Sequence, residues 1–263
     1  MATTSSSETA AAAAPALGDG VPRRSRLGAV RGWFSRHRWA LPTLVVGLVV
    51  ALPLRGVFRA PGPPMEEGFM LVFPERLLEG DIPNRDFLHL YGPGSIWTIA
   101  AFFKVLGVSL WAERVVGMLQ LVGVISGTMY IGYRWGRFVA AACGTISAIV
   151  IIPPIGATAL AWVGGVAFAL WSVAVATRAL DPGQRRERAL TIAGLLAGAA
   201  LLFRPDLVIC LGLSLGALFV FALDSPGRRK LALGAAIGVS PYLVHLALAG
   251  PGSRSHAAAL DLA

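Results

Sequence analysis

Residues 94–110, GSIWTIAAFFKVLGVSL, decide the topology of everything that follows them. They are apolar enough to be taken for a membrane crossing. They are also short, and they carry Lys104 in their middle. A helix crosses about 30 Å of hydrocarbon in roughly 20 residues at about 1.5 Å each. Working outward, apolar blocks run at 41–58 on one side and at 115–133, 138–153, 158–177, 189–203, 205–223 and 231–249 on the other. Basic residues mark cytoplasmic loops, and this asymmetry settles the matter. If 94–110 lies along the outer surface, 15 basic residues fall inside and 8 outside; if it crosses, every later loop flips and the balance becomes 10 inside and 13 outside. The expected fold is therefore all-α: a polytopic transmembrane helical bundle of about seven spans, N-terminus cytoplasmic, C-terminus outside.

The composition agrees with a membrane solvent. Hydrophobic residues make up 56% and charged ones 14%, against about 45–50% and 25% in soluble domains. A net charge of +9 raises nucleic acid as a partner. The positive residues, however, sit in short clusters between apolar blocks, the pattern of membrane orientation, so no nucleic-acid partner is expected. Cys143 and Cys210 both lie inside apolar blocks, where they form neither a metal spacing nor a disulfide framework.

Three regions follow. Residues 1–38 read as a disordered cytoplasmic tail closed by a basic anchor, RRSRLGAVRGWFSRHR at 23–38. Residues 39–250 form the bundle, and 251–263 a short outer tail. Within the bundle, 59–114 is a large outer segment whose two membrane-hugging helices are expected at 66–78 and 93–106. The second carries Trp97, Phe102 and Phe103 beside Lys104, which suits an interface. The expected location is the cell membrane, the inner membrane of a bacterium.

Chemistry concentrates in that outer segment. Its first part, RAPGPPMEEGFMLVFPERLLEGDIPNRDFLHLYGP, holds Glu66, Glu67, Glu75, Glu79, Asp81 and Asp86 out of 14 acidic residues in the chain. The elements Pro64-Met65-Glu66-Glu67, Leu77-Leu78-Glu79-Gly80-Asp81, Pro83, Arg85-Asp86-Phe87 and Tyr91-Gly92-Pro93 follow in order before Trp97. Glu113-Arg114 opens the next span, and Phe203-Arg204-Pro205-Asp206 lies at a later outer junction. Taken together, these elements resemble the first outer loop of the GT-C superfamily of integral-membrane glycosyltransferases, in particular the protein O-mannosyltransferase and aminoarabinose-transferase branch.

The resemblance implies sugar transfer from a polyprenyl-phosphate donor to an acceptor on the outer membrane face. Such a reaction needs a carboxylate to take the acceptor's proton. It also needs a cation on the departing phosphate, for which the planar guanidinium fork of Arg is suited. In an ungapped reading the family's leading Asp falls on Met65, so the base role goes to Glu66 or Glu67. Arg204 is the first candidate for the phosphate, with Arg85, Lys104 and Arg114 behind it. Asp86, His89 and Tyr91 join the donor- and acceptor-binding candidates. Membrane lipids are the surroundings, and a second polypeptide completing the bundle is a further expected partner. No divalent-metal constellation is evident.

Plain structural roles compete with each assignment. Glu66 and Glu67 at a helix start are favoured by the helix dipole alone. Arg204 and Asp206 can form a local ion pair in a turn, Asp86 can order its loop, and Glu113-Arg114 can mark the membrane boundary. A non-catalytic membrane protein is the competing function, either a flippase or transport component for lipid-linked sugars or an inactive, truncated homologue.

Overall fold

A break at Pro53 sets the shape of the first apolar block. Proline has no N–H to return to the carbonyl four residues back, and its ring crowds that carbonyl. In the computed structural model, which describes residues 37, 39–181 and 186–250, the block divides into α1 (Ala40–Ala51) and a single turn, α2 (Leu54–Val57). The expected span at 41–58 is thus not one continuous helix. The expected tails lie outside the described residues, apart from residue 37.

The outer segment folds into two helices where the sequence placed them. Helix α3 (Pro64–Glu79) opens on a proline, whose fixed φ suits a first helical position, with Glu66 and Glu67 in its first turn. It closes on Gly80 at φ 105°, where the Asp81 N–H returns to the Arg76 carbonyl and the Gly80 N–H to Leu77. This is the left-handed glycine stop that other residues adopt only under strain. Helix α4 (Gly94–Leu106) has 13 residues, a rise of about 20 Å, short of the hydrocarbon thickness.

Six helices complete the bundle: α5 (Leu110–Gly132), α6 (Arg137–Ile155), α7 (Ala161–Arg178), α8 (Arg186–Phe203), α9 (Val208–Phe221) and α10 (Ser225–Ala249). Ser109 caps α5 by accepting from the Ala112 N–H at 3.2 Å, and Asp224 caps α10 by accepting from Gly227 at 3.3 Å. Among the described residues the segments Leu110–Trp135, Arg137–Ile155, Ala161–Arg178 and Ser225–Ala249 are long and apolar enough to cross a membrane. The other expected spans are shorter or more charged. Helix α9 has 14 residues, and α8 starts with Arg186, Glu187 and Arg188. Four of the seven expected crossings therefore meet the length and apolarity of a span.

Two apolar cores run through the bundle. One joins α1, α5, α6 and α7 around Val46, Leu121, Ile125, Ile152 and Val163. The other joins α7, α8, α9 and α10 around Leu190, Ala197, Leu211 and Leu231. A third, smaller core under the outer segment packs Met70, Ile99 and Phe103 against Ala112, Val116 and Ala159. Large apolar side chains also face outward, among them Ile149, Leu213, Phe221 and Leu243. Such a surface is a liability in water and the ordinary exterior of a protein in lipid.

Helices α8 and α10 touch backbone to backbone. A Cβ on Gly194 would lie 2.1 Å from the Leu231 carbonyl, and one on Gly234 would lie 2.1 Å from that of Thr191. Small residues drive association in lipid by allowing this approach. A Cβ on Gly198, one turn beyond Gly194, would lie 2.6 Å from the Ala235 carbonyl, whereas Gly212 and Gly216, in the same spacing on α9, face open space. Gly198→Leu should accordingly lower the thermal midpoint of the purified protein by about 5 °C, from an overpacking cost of about 1–3 kcal/mol. Gly212→Leu should leave it unchanged.

Candidate functional site

Neighbouring residues on a helix point about 100° apart, so Glu66 and Glu67 in the first turn of α3 cannot share a partner. The structure separates them completely. Glu67 turns inward, where the Nε and Nη2 of Arg114 on α5 donate to its Oε1 at 3.0 and 2.8 Å. Its Oε2 accepts from the Gly62 N–H at 3.2 Å. The remaining Arg114 nitrogen, Nη1, donates to the Phe58 carbonyl. The two side chains are 8% and 12% exposed, Arg114 first. Next to them Glu113 is fully buried, with Oε1 accepting from the Ala159 N–H at 2.6 Å. Glu67 is thereby committed to holding the outer segment on the bundle.

Glu66 turns the other way. Its Oε1 accepts from the Tyr91 hydroxyl at 3.1 Å. The Tyr91 ring in turn lies under the Arg204 guanidinium, whose central carbon is 5.0 Å from the ring centroid. A carboxylate from α3, a phenol from the following loop and a cation from the α8–α9 junction thus meet. Burial and the Glu66 carboxylate both raise the Tyr91 pKa, which keeps the phenol a proton donor. Arg204 is also held by Asp206, with Nε to Oδ1 at 2.7 Å and Nη2 to Oδ2 at 2.6 Å. That hydrogen-bonded carboxylate is the main reason its pKa rises further above the usual value. Arg204 therefore takes part both in the local ion pair and in the convergence with Tyr91.

The approach is made by backbone. The Gly92 N–H donates to the Phe203 carbonyl at 3.1 Å, so Tyr91 and Arg204 flank one hydrogen bond. No side chain fits here, because a Cβ on Gly92 would sit 2.1 Å from the Leu202 carbonyl oxygen.

Other candidates occupy supporting positions. His89 is 5% exposed, packs edge-on against Phe73 and Tyr91, and has Nε2 3.3 Å from the Gly92 carbonyl. Burial pushes its pKa down to about 4, so the ring is neutral near pH 7. The His89 backbone N–H donates to Asn84 Oδ1 at 3.0 Å, and Asn84 Nδ2 lies 3.4 Å from His245 Nε2 on α10. Arg85 and Asp86 do not join the convergence. Arg85 Nη2 bonds Asp86 Oδ2 at 2.8 Å, and the same oxygen accepts from the Ile82 N–H at 2.7 Å. Asp86 is held ionised first by Arg85 and then by Ile82, as a loop-ordering acceptor. Lys104 points outward from α4. Among the described residues no three His, Cys, Asp or Glu side chains gather as metal ligands.

Sequence reasoning missed the structural weight of Glu113-Arg114. A signal was available: charges at the edge of an apolar block are costly to insert and are retained for a reason.

Neither a protein-family model nor a curated protein matches the chain. Solved structures sharing its fold include the crystal structure of ArnT from Cupriavidus metallidurans bound to undecaprenyl phosphate. The match has 18% identity and a TM-score of 0.58, covering 84% of this chain and 42% of that one. The apo state of the same protein matches with 17% identity and a TM-score of 0.58, covering 86% of this chain and 43% of that one. The likeness is one of fold: the chain has an ArnT-like membrane fold and spans less than half the length of those chains.

Two outcomes are expected. Glu67→Gln leaves the Arg114 charge buried without its counter-ion and should cost about 3–5 kcal/mol, read as a lower thermal midpoint in detergent. Asp86→Asn, at an exposed pair, should not shift that midpoint. His89 binds a proton more readily unfolded, near pH 6.5, than folded, near pH 4. The unfolded state therefore takes up more protons between those values, and stability should be lost as the pH is lowered through that window, by up to roughly 3 kcal/mol. His89→Gln should flatten that part of the stability–pH curve.

Proposed function

We propose that the chain is a membrane glycosyltransferase that moves a sugar from a polyprenyl-phosphate donor to an acceptor at the outer face of the cytoplasmic membrane. The observation that carries this reading is the convergence of Glu66, Tyr91 and Arg204 from three separate segments. The fold likeness to ArnT, solved with undecaprenyl phosphate, supports the donor class. The basic loops favour a cytoplasmic N-terminus, which puts the convergence on the outer side.

In this reading Glu66 orients the acceptor hydroxyl and takes its proton as the oxygen attacks the anomeric carbon. The bond from that carbon to the phosphate oxygen breaks, and the electron pair leaves with the polyprenyl phosphate. Glu66 is the carboxylate with capacity for this, because Glu67 is consumed by Arg114. Tyr91 donates to Glu66 in the resting site and gives way to the acceptor during the reaction. Arg204 holds the phosphate and stabilises the charge that grows on it. The phosphate must first displace Asp206, which is 59% exposed against 25% for Arg204. An exposed ion pair contributes only about 0–1 kcal/mol, so the donor's phosphodiester anion can take the place of the carboxylate.

The assay follows undecaprenyl phosphate binding to the purified protein and its release from undecaprenyl-phosphate sugars in liposomes. Glu66→Gln should cut release by about 10²–10⁴-fold, the usual share of a general base, and leave binding intact. Arg204→Gln should lose the binding, while Asp206→Asn should tighten it by freeing the guanidinium. Full release from Glu66→Gln would remove the base assignment. Equal binding by all three variants would remove the phosphate site.

A further inference from the structure

A cavity of about 250 Å³ lies between α4, α5, α7 and α8. Its wall is nearly all apolar, with Phe102, Leu119, Phe168 and Phe203 prominent. The exception is Gln120, which is 8% exposed and whose Nε2 and Oε1 have no hydrogen-bond partner among the described residues. Buried amides are nearly always paired, so this one marks a position where something else supplies the partner.

Other polar atoms in the wall are already engaged. Thr98 Oγ1 donates to the Gly94 carbonyl at 2.7 Å, and the Trp171 indole N–H donates to the Gly123 carbonyl at 3.1 Å. Gly164 lets Phe203 and Gln120 close onto its backbone at one wall: a Cβ there would lie 2.6 Å from the Phe203 ring and 3.0 Å from Gln120 Nε2.

We propose that this cavity binds the head of a neutral, single-chain membrane alcohol, with Gln120 as the residue that reads its hydroxyl. The chemistry selects the class. The amide presents one acceptor and one donor group in a wall that holds no charged residue. A hydroxyl donates to Oε1 and accepts from Nε2, and so satisfies both. An ester or ketone would leave Oε1 unpaired, and a phosphate or ammonium would be stranded without a counter-charge. The volume lies just below the roughly 300–1,000 Å³ of small-molecule sites, enough for a head and the first part of a chain. The rest leaves beside Leu119, which is 55% exposed on the outward surface.

This site is distinct from the Glu66–Tyr91–Arg204 convergence and does not rest on the transferase reading. Gly164 faces Phe203 and the cavity, whereas Gly165 backs onto the Arg204 side chain.

Trp171 lines the cavity and reports on its contents. The full chain in lipid nanodiscs is titrated with 2-bromo-1-dodecanol, whose bromine sits beside the hydroxyl, and, separately, with 2-bromododecane, the bromine quenching tryptophan fluorescence on contact. In the wild type the alcohol should give a saturable component at a bilayer mole fraction at least tenfold below that of the alkane. Trp171→Phe should remove that component. Gln120→Leu should abolish the preference for the alcohol, and Gln120→Met serves as a second apolar replacement should the first not fold. Equal quenching by the two probes in the wild type would overturn the proposal. So would a preference that survives both replacements, or a saturable component that survives Trp171→Phe.

Discussion

The ion pair between Arg114 and Glu67 is the constraint on which the outer half of the molecule depends. Two charges removed from water are stable together only if their remaining hydrogen-bonding capacity is met. Here it is met closely, by both Glu67 oxygens, the Gly62 N–H and the Phe58 carbonyl. The pair therefore joins three things at once: the start of α3, the start of α5 and the chain leaving the first apolar block. It also has a directional effect. Once Glu67 is pinned inward, the helical turn sends Glu66 to the other side, toward Tyr91.

A second joint faces the first across the outer segment. The backbone bond between Gly92 and Phe203 brings the far end of the loop onto the α8–α9 junction. Between the two joints the loop is packed by rings: Phe73, Phe87, His89 and Tyr91 in succession. Asn84, at φ 63°, ties the same loop to His245 on α10. The segment richest in charge is thus also one of the most cross-linked parts of the outer face.

Much of this was legible in the sequence, and what was not has a common cause. Apolar block length and proline and glycine punctuation report local physics, and helices α3 to α7 and α10 stand close to where those signals put them. The block at 41–58 misled because its hydropathy is continuous while Pro53 interrupts its hydrogen bonding. The glycines at 212 and 216 lie on an open face; spacing shows which residues share a face and not what the face meets. In the candidate site, Glu66, Tyr91 and Arg204 were each recognisable as chemistry-bearing residues. That Glu67 would be withdrawn was not, because its partner lies 47 residues away. Arg85 and Asp86 stay outside the convergence for the opposite reason: adjacent opposite charges satisfy each other locally.

The bond from Gly92 to Phe203 has one more consequence. Because main-chain atoms and not side chains set the meeting of the loop with the α8–α9 junction, the side chains flanking it can be exchanged without moving the frame that presents them. Tyr91 and Arg204 are the residues in that position, next to the bond and outside it. Substitutions at those two positions can therefore leave the architecture in place, whereas a side chain at Gly92 has no room.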